Sequence, residues 1–140
     1  MTRIDFYVLQ ESTTDGRLNF VCRLVEKAIG QGNKVMIATE HAAQSQEIDE
    51  RLWNFKPESF IPHQQIGGLA AATPVTISHR GDDPQHHDVL VNLRATVPPE
   101  FSRFQRLVEI VVQDSAILES TRKNFAFYKA RGYQLNTHKL

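Results

Sequence analysis

The chain has 140 residues, enough for one domain, 1–140, that buries about two-thirds of its unfolded surface around a single core without disulfide or metal. Its 16 basic and 16 acidic residues cancel, which excludes a whole-molecule attraction to nucleic acid or an anionic membrane and leaves only local charge to act. No apolar run reaches the roughly 20 residues of a membrane span and the first residues lack a signal-peptide pattern, so the expectation is a cytoplasmic protein, whose single cysteine, Cys22, has no partner for an internal disulfide.

Ile4 to Leu9 is a β-branched and aromatic run ended by the polar stretch Gln10 to Gly16, which predicts a strand entering a loop. Leu18, Val21, Leu24, Val25 and Ala28 recur at three-and-four spacing before Gly30-Gln31-Gly32, the pattern of an amphipathic helix with a glycine stop. Cys22 shares the apolar face of that helix with Leu18 and Val25, where a free thiol behaves as a small hydrophobe. Lys34 to Ala38 reads as a second strand, and Thr39 as the N-cap of a second helix from His41 to about Trp53, with Ala42, Ile48 and Leu52 on its inner face.

The stretch Arg51 to His63 holds the only tryptophan, Trp53, together with Phe55 and Phe60, where Pro57 and Pro62 prevent regular structure from continuing. It reads as a helix end followed by an extended loop. Its apolar bulk belongs either to the molecule's own core, which composition favours, or to the surface of a partner. Gly67 to Pro74 is a loop of small residues, Val75 to Ser78 a short strand, His79 to His87 a polar loop, and Asp88 to Leu93 a further strand. After Pro98-Pro99, Phe101 and Phe104 suit a short helix and Leu107 to Val112 the last strong strand. A final helix, capped by Asp114 or Ser115 and ended by Gly132, buries Ile117, Leu118, Thr121, Phe125 and Tyr128.

Strands alternating with helices predict the α/β class: a mostly parallel twisted sheet with right-handed crossovers and helices on both faces. That topology resembles nucleotide-binding folds, and a nucleotide-dependent enzyme on a doubly wound sheet is the alternative reading. The phosphate loop is missing, however. Between Leu9 and the first helix only Gly16 occurs, without G-x-G-x-x-G or G-x-x-x-x-G-K-[ST]. His79, Asp82, Asp83, His86, His87 and Asp88 have the chemistry of metal ligands but match no zinc-site spacing, so they read as a solvated loop. With no G-x-S-x-G, no H-E-x-x-H and no carboxylate pair set apart by position, the expectation is no catalysis, no cofactor and no metal.

From Arg122 onward the side chains include Arg122, Lys123, Lys129, Arg131, His138 and Lys139 and no carboxylate. Arg122 and Lys129 are seven apart and share a helix face, with Ala126 between them and Phe125 beside them. Cations near a helix C-terminus complement the macrodipole, which suits Lys129 and Arg131 better than Arg122. The other reading is a site for an acidic peptide or carboxylate, with arginine as the bidentate donor. On the residues alone both stand.

Two stretches resemble the chi subunit family of the bacterial DNA polymerase III holoenzyme. One is Leu52-Trp53, Glu58-Ser59-Phe60 and Pro62-His63; the other is Arg122, Phe125, Tyr128, Gly132-Tyr133 and Leu135-Asn136. Phe6-Tyr7-Val8-Leu9 and the Gly32 to Ala38 step agree, so the resemblance runs along the whole chain and is weakest from Gly67 to His87. It implies a non-catalytic adaptor of the clamp-loader complex, in a replisome at the nucleoid, with a nucleotide-binding-like fold that binds no nucleotide. The implied partners are the psi subunit and the acidic C-terminal tail of single-stranded DNA-binding protein, with no direct nucleic acid, membrane or small-molecule substrate. Leu52, Trp53, Phe60, Ile61 and Pro62 would meet psi. Arg122 would take the terminal carboxylate of the tail, Phe125 would line the pocket for its last side chain, and Lys129 would steer its acidic residues, with Tyr128 and Gly132 completing the site. Phe125 stands where the family pattern has tyrosine, and Ala126 where it has lysine.

Overall fold

The computed structural model describes residues 1–55, the backbone of 63–65, and residues 74–80 and 86–140. Its seven strands are β1 (Arg3–Val8), β2 (Val35–Ala38), β3 (His63–Gln65), β4 (Val75–Ser78), β5 (Val89–Asn92), β6 (Arg106–Val111) and β7 (Leu135–Lys139). They form one sheet in the order β3-β4-β2-β5-β6-β1-β7, and every neighbouring pair is parallel. Parallel neighbours need long crossovers, and three helices lie among the described residues: α1 (Thr14–Gly30), α2 (Ala42–Asn54) and α3 (Ser115–Ala130).

The central strands β2, β4 and β5 are buried at every position, as expected of parallel strands covered on both faces. The two-residue period of a strand divides the core in two. Val35, Ile37, Ile77, Val91, Val108 and Ile110 point to the side of α1 and α2, where they meet Leu18, Val21, Val25, Ile48 and Leu52. Ile4, Phe6, Met36, Leu90 and Leu107 point to the side of α3, where they meet Phe101, Phe104 and Tyr128. Helices therefore cover both faces of an α/β sheet, as the alternation predicts.

Local chemistry sets the helix ends. Thr13 caps α1 by accepting from the Gly16 amide at 3.1 Å, and Asp114 caps α3 by accepting from the Ile117 amide at 3.1 Å. The cap of α2 is His41, whose Nδ1 accepts from the Gln44 amide at 3.2 Å. Thr39 is unavailable for that role because its amide still belongs to the sheet, donating to the Ser78 carbonyl at 2.8 Å, and its hydroxyl is engaged with Ser45. After α1 and α3 the chain turns at Gly32 and Gly132, with φ of 84° and 79°, where a side chain would be strained.

Two strands differ from expectation. His63–Gln65 pairs with β4 at the sheet edge, and Leu135–Lys139 adds β7 beside β1, from Ile4 opposite Leu135 to Val8 opposite Lys139. Leu-Asn-Thr-His-Lys lacks the apolar signature of a strand because it lies at an edge, and the ladder to β1 supplies its order. The described part of the 79–88 stretch is also less solvated than expected. His86 is buried, its ring standing edge-on to Phe104 at 6.5 Å, and Asp88 accepts from the Lys34 amide at 2.8 Å.

Cys22 is buried in the α1 face, and burial pushes its thiol up to about 11. A thiol reagent at about pH 8 should leave it unmodified in the folded protein and label it fully in denaturant. Rapid labelling without denaturant would contradict this placement.

Candidate functional site

α3 lies over the β6-β1-β7 end of the sheet, yet only Asn124 and Tyr128 of its residues are buried. Leu118, Thr121, Arg122 and Phe125 recur at three-and-four spacing along one flank, and this stripe is not closed off by the sheet. Instead it bounds an open pocket of about 430 Å³, within the size range of small-ligand sites. Phe6 and Val8 of β1 and Val111 of β6 contribute the sheet side, and Thr137 of β7 the far side. The Phe125 and Phe6 rings are 5.4 Å apart and tilted by 52°, and Phe6 in turn packs edge-on against Tyr128 at 6.1 Å. These contacts hold Phe125 in place as an apolar wall.

Arg122 lines the pocket and is exposed. Among the described residues no carboxylate pairs with it; the nearby Lys123 has its own partner in Glu119 at 3.6 Å. Lys129 is exposed about two turns further along α3. The arrangement offers a guanidinium able to donate two parallel hydrogen bonds to a carboxylate next to an apolar hole.

The sequence-predicted residues divide between surface and interior. Arg122 and Phe125 come together at the pocket. Tyr128 does not reach it: the ring is fully buried and its hydroxyl donates to Glu109 Oε2 at 2.7 Å. Gly132 forms the turn that ends α3 and also does not line it. The lining residues that periodicity within α3 alone misses are Phe6, Val8, Val111 and Thr137, which only strand pairing brings beside the helix.

Beneath α3 lies a polar cluster that the sequence did not single out. Glu109 sits on β6 between Leu107 and Val111, and its Oε2 accepts from Asn92 Nδ2 at 2.9 Å, Asn124 Nδ2 at 3.4 Å and the Tyr128 hydroxyl. Burial pushes this carboxyl up to about 7, against the opposing hydrogen bonds and the charge of Arg17.

At the end of α2, successive residues point about 100° apart. Leu52 is turned inward and fully buried, so its side chain belongs to the core and not to a partner surface, whereas Trp53 is 53% exposed. Phe60, Ile61 and Pro62 lie outside the described residues.

The alternative nucleotide reading meets a physical obstacle after β1. Thr13 caps the first turn of α1, and the exposed Glu11 side chain lies directly against Gly16. The Gly16 amide is thus taken by Thr13, and the Glu11 carboxylate lies close to the helix end where a phosphate loop would hold an anion. Among the described residues no cluster of three or more histidine, cysteine or acidic side chains could hold a metal, and no helix is long and apolar enough to cross a membrane.

Comparison with known proteins places this geometry in context. Residues 1–136 match a family described as "DNA polymerase III chi subunit, HolC". The chain is 40% identical over 140 residues to the DNA polymerase III subunit chi of Pseudomonas aeruginosa, covering 100% of this chain and 98% of that protein. It is 34% identical to the subunit chi of Haemophilus influenzae, covering 94% and 93%, and 29% identical to that of Escherichia coli, covering 98% and 97%. Among solved structures it is similar to the Mss116p DEAD-box helicase domain 2 bound to an RNA duplex, with a TM-score of 0.64 at 14% identity over 97% of this chain and 64% of that one, a likeness of fold alone.

Proposed function

The chain belongs to the DNA polymerase III chi subunit family, a replication accessory subunit, and we propose that it acts there as a non-catalytic adaptor between the psi subunit and the acidic C-terminal tail of single-stranded DNA-binding protein. The tail half rests on one observation: an arginine with no carboxylate partner among the described residues stands beside an apolar pocket formed by α3 and the sheet. The last side chain of the tail enters the pocket against the Phe125 ring, its terminal carboxylate meets Arg122, and the preceding acidic residues run toward the exposed Lys129. Calorimetry with an acidic peptide ending in phenylalanine should give saturable binding that weakens as salt rises from about 50 to about 200 mM. The same peptide with an amidated C-terminus should bind far more weakly; equal binding by the two would remove the carboxylate from the recognition.

The psi half rests on Trp53, a large aromatic left half-exposed at the end of α2, because buried aromatic anchors dominate most interfaces. Trp53→Ala should weaken psi binding about tenfold or more while the circular dichroism of the isolated protein stays unchanged. A variant that unfolds would instead assign Trp53 to the protein's own core.

A further inference from the structure

The face of the sheet opposite the tail pocket carries a second cavity, of about 440 Å³, between α1 and the starts of β1 and β6. Four cations line it: Arg23 and Lys27 from α1, Arg3 from β1 and Arg106 from β6. Two rings, Tyr7 and Phe20, complete it with centroids 5.4 Å apart. Arg3 and Arg106 stand opposite each other in the β1–β6 ladder, a pairing of like charges that is unfavourable unless something offsets it. Asp5 does so from beneath, accepting from Arg3 Nε at 3.0 Å and Arg106 Nε at 2.6 Å with its own side chain fully buried. Burial alone would raise the Asp5 carboxyl, but hydrogen bonds from Arg106, His138 and Arg3 outweigh it and hold it below the usual range. Among the described side chains one carboxylate, Asp5, thus faces four cations, and Leu140, the last residue, also lines the cavity.

We propose that this groove binds a single strand of nucleic acid, with phosphates on Arg3, Arg23 and Lys27 and a base against Phe20, while Arg106 stays on Asp5 and the Tyr7 ring stays stacked on His138. Arg23 and Lys27 are one helical turn apart, about 6 Å along the axis, so they meet successive charges of an extended polyanion and not one isolated phosphate. The dipole of α1 accounts for Lys27 but not for the other three. Arg23 lies over the Phe20 ring at 5.5 Å while remaining exposed, the cation-beside-ring pattern on which bases of any identity stack. An acidic peptide without aromatic side chains would use the cations and leave the Phe20 ring idle, whereas every nucleotide brings both a phosphate and a ring. The site is on the other face of the sheet from Arg122 and does not rest on the adaptor reading.

Fluorescence anisotropy with labelled oligodeoxythymidylate and oligouridylate of about 12 nucleotides, titrated with the intact protein, tests this. Binding is expected with a log–log salt slope near −2, the value for about three phosphate contacts on a single strand. Comparison of the two oligonucleotides identifies DNA or RNA as the preferred source. Joint replacement Arg23→Ala and Lys27→Ala should weaken binding about tenfold and reduce the slope by about 1 to 1.5. Phe20→Leu, which keeps the apolar packing, should weaken binding about fivefold. Arg122→Ala should leave binding unchanged. No binding at about 50 mM salt, insensitivity to the Arg23 and Lys27 changes, equal displacement by an acidic peptide of the same charge, or loss in Arg122→Ala would each overturn the proposal.

Discussion

Arg122→Ala should weaken binding of an acidic peptide ending in phenylalanine by about thirtyfold, roughly 2 kcal/mol, and leave the thermal midpoint of the free protein within about a degree. The two halves of that expectation have separate causes. In the free protein the guanidinium is exposed and no carboxylate among the described residues pairs with it, so its removal breaks nothing that holds the fold. In the proposed complex it would supply a charge-assisted, bidentate bond beside an apolar surface, where such a bond is stronger than in open water. Arg122→Lys should fall between the two because an ammonium keeps the charge but loses the planar fork. The peptide affinity of wild type, R122A and R122K, measured by calorimetry at one salt concentration, sets the order. Wild-type affinity in R122A would place the tail elsewhere and leave the α3 pocket without an occupant.

The half of this pocket that lies on α3 was legible from sequence, and the half on the sheet was not. A helix writes its faces into the chain at three-and-four spacing, so Arg122, Phe125 and Leu118 could be assigned to neighbouring positions before any fold was known. Strands write only an alternation. Ile4, Phe6 and Val8 clearly share one side, but which element covers that side depends on β6 and β7 flanking β1, and non-local pairing is absent from a local pattern. Thr137 was further hidden because its strand is polar. Tyr128 lies where its spacing puts it, on the buried face of α3; it was the family resemblance that gave it to the tail site, and its hydroxyl is spent on a buried carboxylate.

The architecture itself was readable for a physical reason. Strands covered on both faces cannot be polar, so β2, β4, β5 and β6 announce themselves as short apolar runs between amphipathic helices. Edges relax that demand. Both strands that the sequence left without a strand signal, β3 and β7, are the two edges of the sheet. The caps were legible where the residue had left the sheet, as at Asp114, and misread where the ladder still held it, as at Thr39.

The second large effect lies beneath α3. Glu109 should cost the protein roughly 3 kcal/mol of stability as pH rises from 4.5, its unfolded value, to about 7, its folded value, and Glu109→Gln should remove that cost. The sign follows from proton binding. Between those two values the folded state keeps a proton that the unfolded state has released, so unfolding becomes easier as pH rises, and above about 7 the full penalty of a buried carboxylate remains. Asp5 acts at the other end, since its lowered value takes stability away only as pH falls below 3.8. His86, whose value burial lowers, gains stability with rising pH up to 6.5 and partly masks Glu109 in the wild-type curve alone. The difference between wild type and E109Q cancels both contributions. The glutamine carbonyl can still accept from Tyr128 and Asn92, so E109Q should match wild type near pH 4.5 and exceed it at about pH 8 in urea denaturation. Glu109→Leu should instead destabilise at every pH, by about 1–3 kcal/mol for each buried donor left without an acceptor. Parallel wild-type and E109Q curves across this range would mean that Glu109 titrates near its unfolded value, with Asn92, Tyr128 and Arg17 compensating its charge in full.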